Sequence, residues 1–427
     1  MEYPKVLVVG INPWIDNTGI NTLINFFEVW DKEKLAHIYT REKLPNTHVC
    51  DKFFRISEPQ VVRSVFKRKT KTGERVYNSE KNEADAGVQK LYKKKAGAIK
   101  SLLREFVWKF GKWKSKELNE FLEEYAPDVL FFHVYANVYI FRLQNYIAKK
   151  CNKPIVLYLS DDNYSYKSIS KDPFSLLHRF WLRRQVKKLF KRAKKVMVIA
   201  PKQKEEYDRI FGVDSVVMTK GVDFLTCPYE KMELNTPIKM VYTGKLIIGR
   251  WKSLSAIAEA LGEINKTERK VELDIYTTDT LTEKQRVALN RNGCQVKGAL
   301  TLSQVQDVQS TADVLVFVES LEKKYKNAAR LSFSTKITDY LKSGKCIFAI
   351  GDKDIAPIDY FMRYDSAVTA TSYKEIGTKL QALIADPSMI IEYGKKAYDC
   401  GKERHDKEKM NKLLVDTIAS AWQGEVK

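Results

Sequence analysis

Cysteine and histidine are scarce in this chain: six and five in 427 residues. The cysteines, at positions 50, 151, 227, 294, 346 and 400, show no metal-ligand spacing, which leaves a zinc module without ligands and the thiols as small buried residues of a reducing compartment. No apolar run reaches the length of a membrane span. The longest, Val129 to Ile140, is too short and contains His133 and Asn137. The N-terminus lacks a charged-then-apolar signal pattern, so a cytoplasmic protein is expected. No internal repeat is evident, and no RNA-recognition, helix-turn-helix or zinc motif accompanies the basic segments, so no nucleic-acid partner is expected. Acidic residues are short in one region. Residues 51 to 200 hold 34 Lys/Arg against 15 Asp/Glu, a net of +19 out of +21 for the whole chain.

With 44% hydrophobic residues, a chain of this length can bury two substantial cores. Two prolines frame the polar stretch Cys227 to Pro237, which reads as a hinge between domains 1–227 and 228–404. Residues 72 to 90, rich in Lys, Glu, Asn and Gly, read as a loop.

The second half alternates strands with helices: Ile238 to Thr243, Val271 to Tyr276, Gln295 to Gly298 and Asp313 to Val318, with helical patterns from Gly249 to Leu261, from about Glu283, and from Leu302 to Ser310. Such alternation predicts a parallel sheet covered on both faces, with functional residues on the loops after the strands. Gly244 lets the backbone approach a ligand there, while Lys245 and Arg250 bring two cations to the end of the first of these strands. Glu319 follows Val318 and reads equally as a sugar contact or a surface carboxylate. Further on, Ser334 and Thr335 precede a short helix with Ile337, Tyr340 and Leu341 on one face and Gly344 at its end. The first-turn amides, the two hydroxyls and Lys336 suit a diphosphate, and the two oxygens of Asp339 suit a ribose diol. An ordinary solvated helix start has the same pattern.

In the first half, Lys5 to Gly10 is an apolar strand followed by a loop containing Gly19 and Asn21. Asp128 to His133 and Pro154 to Asp162 are two more strands. In a parallel sheet their ends share one edge, placing His133, Asp161 and Asp162 at a cleft. Neighbouring aspartates diverge on extended chain, so no metal site is expected. The excess cations cluster at 67–71, 93–95, 109–116 and 179–195, interleaved with apolar residues at helical spacing. Lys93, Lys94, Lys95, Trp108, Trp113, Trp181, Arg183 and Arg184 are the candidate contacts to an anionic membrane surface.

Residues 237 to 351 resemble the donor-binding domain of GT-B glycosyltransferases, most similarly the family-4-like enzymes of bacterial capsule, lipopolysaccharide and exopolysaccharide synthesis. The segment Tyr242-Thr-Gly-Lys-Leu with Gly249-Arg-Trp resembles the loop that holds the donor diphosphate, and Val296-Lys-Gly-Ala-Leu300, with Gly298 and Leu300, resembles the segment near the base. Ser334-Thr-Lys-Ile-Thr-Asp-Tyr-Leu resembles the segment whose closing acid binds ribose, a role that falls to Asp339. Retaining members usually carry a glutamate eight residues earlier, where this chain has Leu331. The resemblance implies an α/β chain of two Rossmann-like doubly wound domains facing a cleft, with residues 405–427 forming a helix that returns to the first domain. It further implies a hexosyltransferase with a UDP- or GDP-sugar donor and a lipid-linked or glycan acceptor, working at the inner face of the cytoplasmic membrane without a cofactor. His133, Lys245, Arg250 and Glu319 would be its catalytic residues and retention its outcome. A nucleotide-sugar epimerase, or a non-catalytic membrane- or RNA-binding protein, are the alternatives.

Overall fold

The computed structural model describes residues 3–16, 22–67, 69–79, 98–226, 228–230, 233–327 and 329–424. The chain forms two compact units. The first comprises Met1–Ile199, Gln203–Thr219 and Met410–Lys427, and the second Ala200–Lys202 with Lys220–Lys409.

The first unit is built on strands β1 (Val6–Val9), β2 (Leu35–Tyr39), β3 (Lys52–Arg55), β4 (Glu74–Val76), β5 (Val129–Val134), β6 (Ile155–Leu159), β7 (Ala193–Val198) and β8 (Val216–Val217). Their order is β4-β3-β2-β1-β5-β6-β7-β8, parallel throughout except for β3 with β4. β1, β2 and β6 are buried along their whole length, as expected of strands covered on both faces. The order reverses between β1 and β5, which makes their carboxyl ends a topological switch point.

The loop expected at residues 72–90 is in part a strand. Glu74–Val76 adds to the edge of β3, where Arg55 pairs with Glu74 at 2.8 Å and Val76 is buried. A three-residue edge strand with two charged members has too little apolar periodicity to read as one. Residues 80–90 lie outside the described part.

The second unit has strands β9 (Ile238–Thr243), β10 (Val271–Tyr276), β11 (Cys294–Gly298), β12 (Val314–Val318), β13 (Cys346–Ile350) and β14 (Val368–Ala370), all parallel, in the order β11-β10-β9-β12-β13-β14. Its switch point lies between β9 and β12. The core joins Met240, Leu273, Val316 and Phe348 of the sheet to Leu254, Ile257 and Leu261 of the helix Arg250–Ile264.

The first unit ends at Thr219, ahead of the hinge expected at Cys227, because Val222 and Phe224 already pack with Tyr398 of the second unit. The final helix, Lys407–Gln423, returns to the first unit, where Leu414, Ile418 and Ala421 join the core around Trp14, Phe27 and Phe131.

Candidate functional site

In a parallel sheet every strand delivers its following residue to one edge, and in the second unit that edge collects charge. β9 ends at Thr243, and Gly244 follows. A Cβ on Gly244 would stand 3.0 Å from both Lys336 Nζ and the Tyr242 hydroxyl, so glycine is what lets Lys336 reach the end of β9. Beyond it, Gly249 is the N-cap of the helix Arg250–Ile264 with φ +76°. A side chain there would collide with Glu322 Oε2 at 2.3 Å and Ser320 Oγ at 2.7 Å. This turn fixes Arg250 at the first position of a helix anchored by its buried face.

Arg250 Nη2 donates to both carboxylate oxygens of Glu319 at 2.8 Å, and its Nε reaches Oε2 at 3.3 Å. Glu319 stands directly after β12, with its backbone N–H continuing the ladder onto Ile350 O at 2.7 Å. It is buried. A buried forked pair of this kind tolerates poorly the loss of one partner, at about 3–5 kcal/mol, because the other charge stays desolvated. Burial opposes the charge on Arg250, but Glu319 outweighs it and holds the guanidinium above its ordinary value. Lys336 donates its ammonium to Thr243 O at 2.6 Å; desolvation, with Arg250 nearby, lowers its pKa. Thr243 Oγ1 accepts from Gln309 Nε2 at 2.8 Å.

The helix Lys336–Lys342 buries Ile337, Thr338, Tyr340 and Leu341 and stops at Gly344, whose φ is +65°. Of the two hydroxyls that the sequence suggests as caps, Ser334 Oγ accepts from Lys336 N at 3.4 Å, whereas Thr335 makes no capping bond. Thr335 is already in helical conformation, which denies its hydroxyl the extended geometry of a capping residue. The Ser334 carbonyl accepts from Ile337 N at 3.0 Å instead. Asp339 is half-buried and pairs through Oδ1 with Lys220 Nζ at 2.5 Å. Lys245 is exposed at the same edge. Gly298, φ +100°, has open space where a side chain would be, and Leu300 beside it is half-buried. Leu331 is fully buried.

Among the described residues, the buried groups at the corresponding edge of the first unit are uncharged, with Arg41 and Asp161 exposed beside them. His133, at the end of β5, shares a hydrogen bond between Nε2 and Ser160 Oγ at 3.0 Å and lies against Tyr135 and Tyr158 with ring centroids 4.1 and 5.1 Å away. Burial holds its pKa down to about 3, so the imidazole is neutral at physiological pH and a weak base. Asp161 is exposed. Asp162 is buried and holds its own loop, accepting from Ser165 N at 2.9 Å and Ser165 Oγ at 2.8 Å. Adjacency thus separates the two carboxylates. Gly19 and Asn21 lie outside the described residues, as do Lys93, Lys94 and Lys95.

Two of the candidate membrane contacts are corrected. Trp108 is fully buried and stacks on Tyr139 at 4.5 Å, and Trp113 is buried with its indole N–H on Trp108 O at 2.7 Å. Trp181 and Arg184 are exposed, whereas Arg183 lies over the Tyr164 ring at 3.8 Å.

Sequence reasoning missed Lys220, Thr243 and His37. His37 on β2 is fully buried, with its ring 4.6 Å from Trp14 and its pKa lowered to about 3 by burial and by His133. Its signal was a polar residue inside a strand otherwise apolar, Leu35–Tyr39. Among the described residues no group of His, Cys, Asp or Glu is placed to hold a metal ion, and no helix is long and apolar enough to cross a membrane.

No protein-family model matches the chain, and no curated protein matches it. Solved structures do. HepE of Anabaena in complex with UDP and glucose matches with a TM-score of 0.60 at 11% identity over 98% of this chain and 100% of its own, and its complex with UDP-glucose gives 0.60 at 12% over the same shares. Sucrose-phosphate synthase from Thermosynechococcus elongatus matches at 0.59 and 10% identity, over 98% of this chain and 99% of that one. The glycotransferase of kitacinnamycin matches at 0.54 and 12%, over 98% and 100%. At these identities the likeness is one of fold, the two-sheet α/β architecture of GT-B glycosyltransferases.

Proposed function

We propose that the protein is a glycosyltransferase that takes a hexose from a nucleoside-diphosphate sugar, of UDP or GDP type, and passes it to a lipid-linked glycan in the cytoplasm of a bacterium building surface polysaccharide. The observation that carries the reading is the convergence of Gly244, the Arg250–Glu319 pair and Lys336 at the switch point of the second sheet, from the turn after β9 and from two points of the crossover between β12 and β13. Cleaving the bond between the anomeric carbon and the diphosphate oxygen leaves new negative charge on the departing group. Fixed cations stabilise that charge without reorganising, and Arg250, Lys336 and Lys245 supply them in this reading, so activity should survive chelation of divalent metal. Gly298 and Leu300 border the base, and Asp339 receives the ribose diol. The neutral imidazole of His133 and the exposed Asp161 orient acceptor hydroxyls. UDP in the HepE crystals favours the uridine nucleotide. With Leu331 in the core, Glu319 is the carboxylate left to face the sugar of a retaining enzyme.

Leu331 also favours a second reading, in which the fold binds a nucleotide sugar without transferring it, as an epimerase or a non-catalytic protein. Titration calorimetry of UDP, GDP, CDP and their common sugars against wild type and Asp339→Ala, without added metal, tests both. Micromolar binding of one nucleotide, lost in the variant, supports the donor site. Binding with no transfer to any glycan selects the second reading, and no binding at all removes both enzyme assignments.

A further inference from the structure

With Trp108 and Trp113 in the core, the outward faces of the first unit's basic helices belong to other residues. On the helix Ala98–Phe110, Leu103, Phe106 and Phe110 are 60%, 58% and 54% exposed at spacings of three and four. The helix Pro173–Phe190 packs against it and exposes Phe174, Leu177, Phe180 and Trp181 in its first half. Exposed aromatics in such number, on two adjoining helices, exceed the scattered apolar residues of an ordinary surface.

Charge completes the pattern. Helix Pro173–Phe190 contains no acid, and past Trp181 its outward positions become Arg184, Lys187 and Lys188. Helix Ala98–Phe110 has one acid, Glu105, which is buried with Oε1 3.7 Å from His178 Nε2 between the two helices. Asp172, before the second helix, is held at its N-cap by Ser175 N at 2.9 Å. The exposed charges on both helices are therefore cations, beside apolar groups that water solvates poorly.

We infer that the outward faces of these two helices form a docking surface for an anionic lipid bilayer, with Leu103, Phe106, Phe110, Leu177, Phe180 and Trp181 entering the headgroup region and Arg184, Lys187 and Lys188 meeting its phosphates. Aliphatic and aromatic side chains with flanking lysines are the chemistry that holds a helix in an interface. A protein partner or a second copy of this chain would have to supply a matching anionic, apolar face. A sheet of acidic headgroups over hydrocarbon supplies both at once. The inference deepens the proposed function, on which it rests, by naming what brings the chain to a lipid-linked acceptor at the inner face of the cytoplasmic membrane.

Vesicle flotation tests it, with phosphatidylcholine alone and with phosphatidylcholine mixed with phosphatidylglycerol, on wild type, F106S/F180S and K187A/K188A. Wild type should float with the anionic vesicles only, and less so as salt rises. K187A/K188A should bind about thirtyfold more weakly, from on the order of a factor of five per lysine. F106S/F180S should lose binding to a similar or greater extent while keeping the wild-type circular dichroism and melting temperature; if it misfolds, the lysine variant decides alone. Equal binding to neutral vesicles, no binding by wild type, or binding unchanged in the lysine variant overturns the inference. So does a wild-type dimer that F106S/F180S dissociates, since a second copy would then cover the face. Calorimetry with UDP and with GDP on the same samples should be unaffected by these surface changes, so failure to bind either nucleotide sinks the enzyme reading separately.

Discussion

The two sheets share the same strand order around their switch points, yet their carboxyl edges have opposite electrostatics. In the first, β1, β2, β5 and β6 bring together Gly10, His37, His133, Tyr135 and Ser160, all uncharged at neutral pH, with Asp161 and Arg41, of opposite charge, exposed nearby among the described residues. In the second, β9, β12 and the helix after Ser334 bring together Arg250, Glu319, Lys336 and Asp339, and the segment that starts at Lys220 adds that lysine, most of them already paired. Topology fixes where a site forms, and the residues that follow each strand fix its ligand. A neutral, hydroxyl-rich edge suits uncharged polar groups such as sugar hydroxyls. The second edge can receive an anion without a large cost in reorganisation, because its cations are held in position by neighbours that remain after binding.

The strongest way to break this contrast is to remove its central charge. Arg250→Ala should lower turnover about a hundred- to thousandfold, the range for deleting one preorganised stabiliser of a leaving group. It should also destabilise the second unit, since Glu319 is left buried and unpaired. The double variant Arg250→Met with Glu319→Leu separates the two effects. Urea denaturation should show stability recovered, whereas a transfer assay should show activity still lost. Recovered activity would mean that the pair is only structural.

A smaller effect follows from Lys220, which occupies one oxygen of the carboxylate expected to take the ribose. Lys220→Ala removes a partly exposed pair worth about 0.2–1 kcal/mol, so nucleotide binding by calorimetry should tighten by up to about fivefold. Weaker binding would instead place Lys220 among the groups that touch the nucleotide.

The second unit was the more legible of the two. Its strands β12 and β13 are continuous apolar runs and β10 alternates cleanly, Gly244 and Gly298 punctuate the ends of β9 and β11, and the sequence marked Arg250, Glu319, Lys336 and Asp339 individually. It did not show that Arg250 and Glu319 form one pair, because 69 residues separate them and only the β9–β12 adjacency brings them together. Nor did it show that Lys220 reaches Asp339. The first unit misled where composition stood in for periodicity. Trp108 and Trp113 lie in a basic segment and were read with its charges, but an indole buries well over 100 Å² and takes the inward face when the helix has one. Phe106, two residues before Trp108 on its helix, and Phe180 on the helix packed against it carry the exposure instead.

The last difference between the two edges is in how they respond to acid. His37 and His133 are held down to about 3 from an ordinary 6.5, so the unfolded chain takes up two protons near pH 6.5 that the folded chain does not accept until about pH 3. Between those values the unfolded state binds more protons, and stability falls as the pH drops. The slope approaches about 1.4 kcal/mol per pH unit for each histidine. The loss is negligible above pH 7 and complete near pH 3. His37→Phe keeps a ring against Trp14 and removes one of the two protons, so the first unit of the variant should lose stability with about half the wild-type slope between pH 6 and pH 4.5. Urea midpoints followed by a probe in that unit, across this range, measure the slope directly. An unchanged slope would mean that His37 is reached by water and titrates normally, and the neutrality of the first edge would then rest on His133 alone.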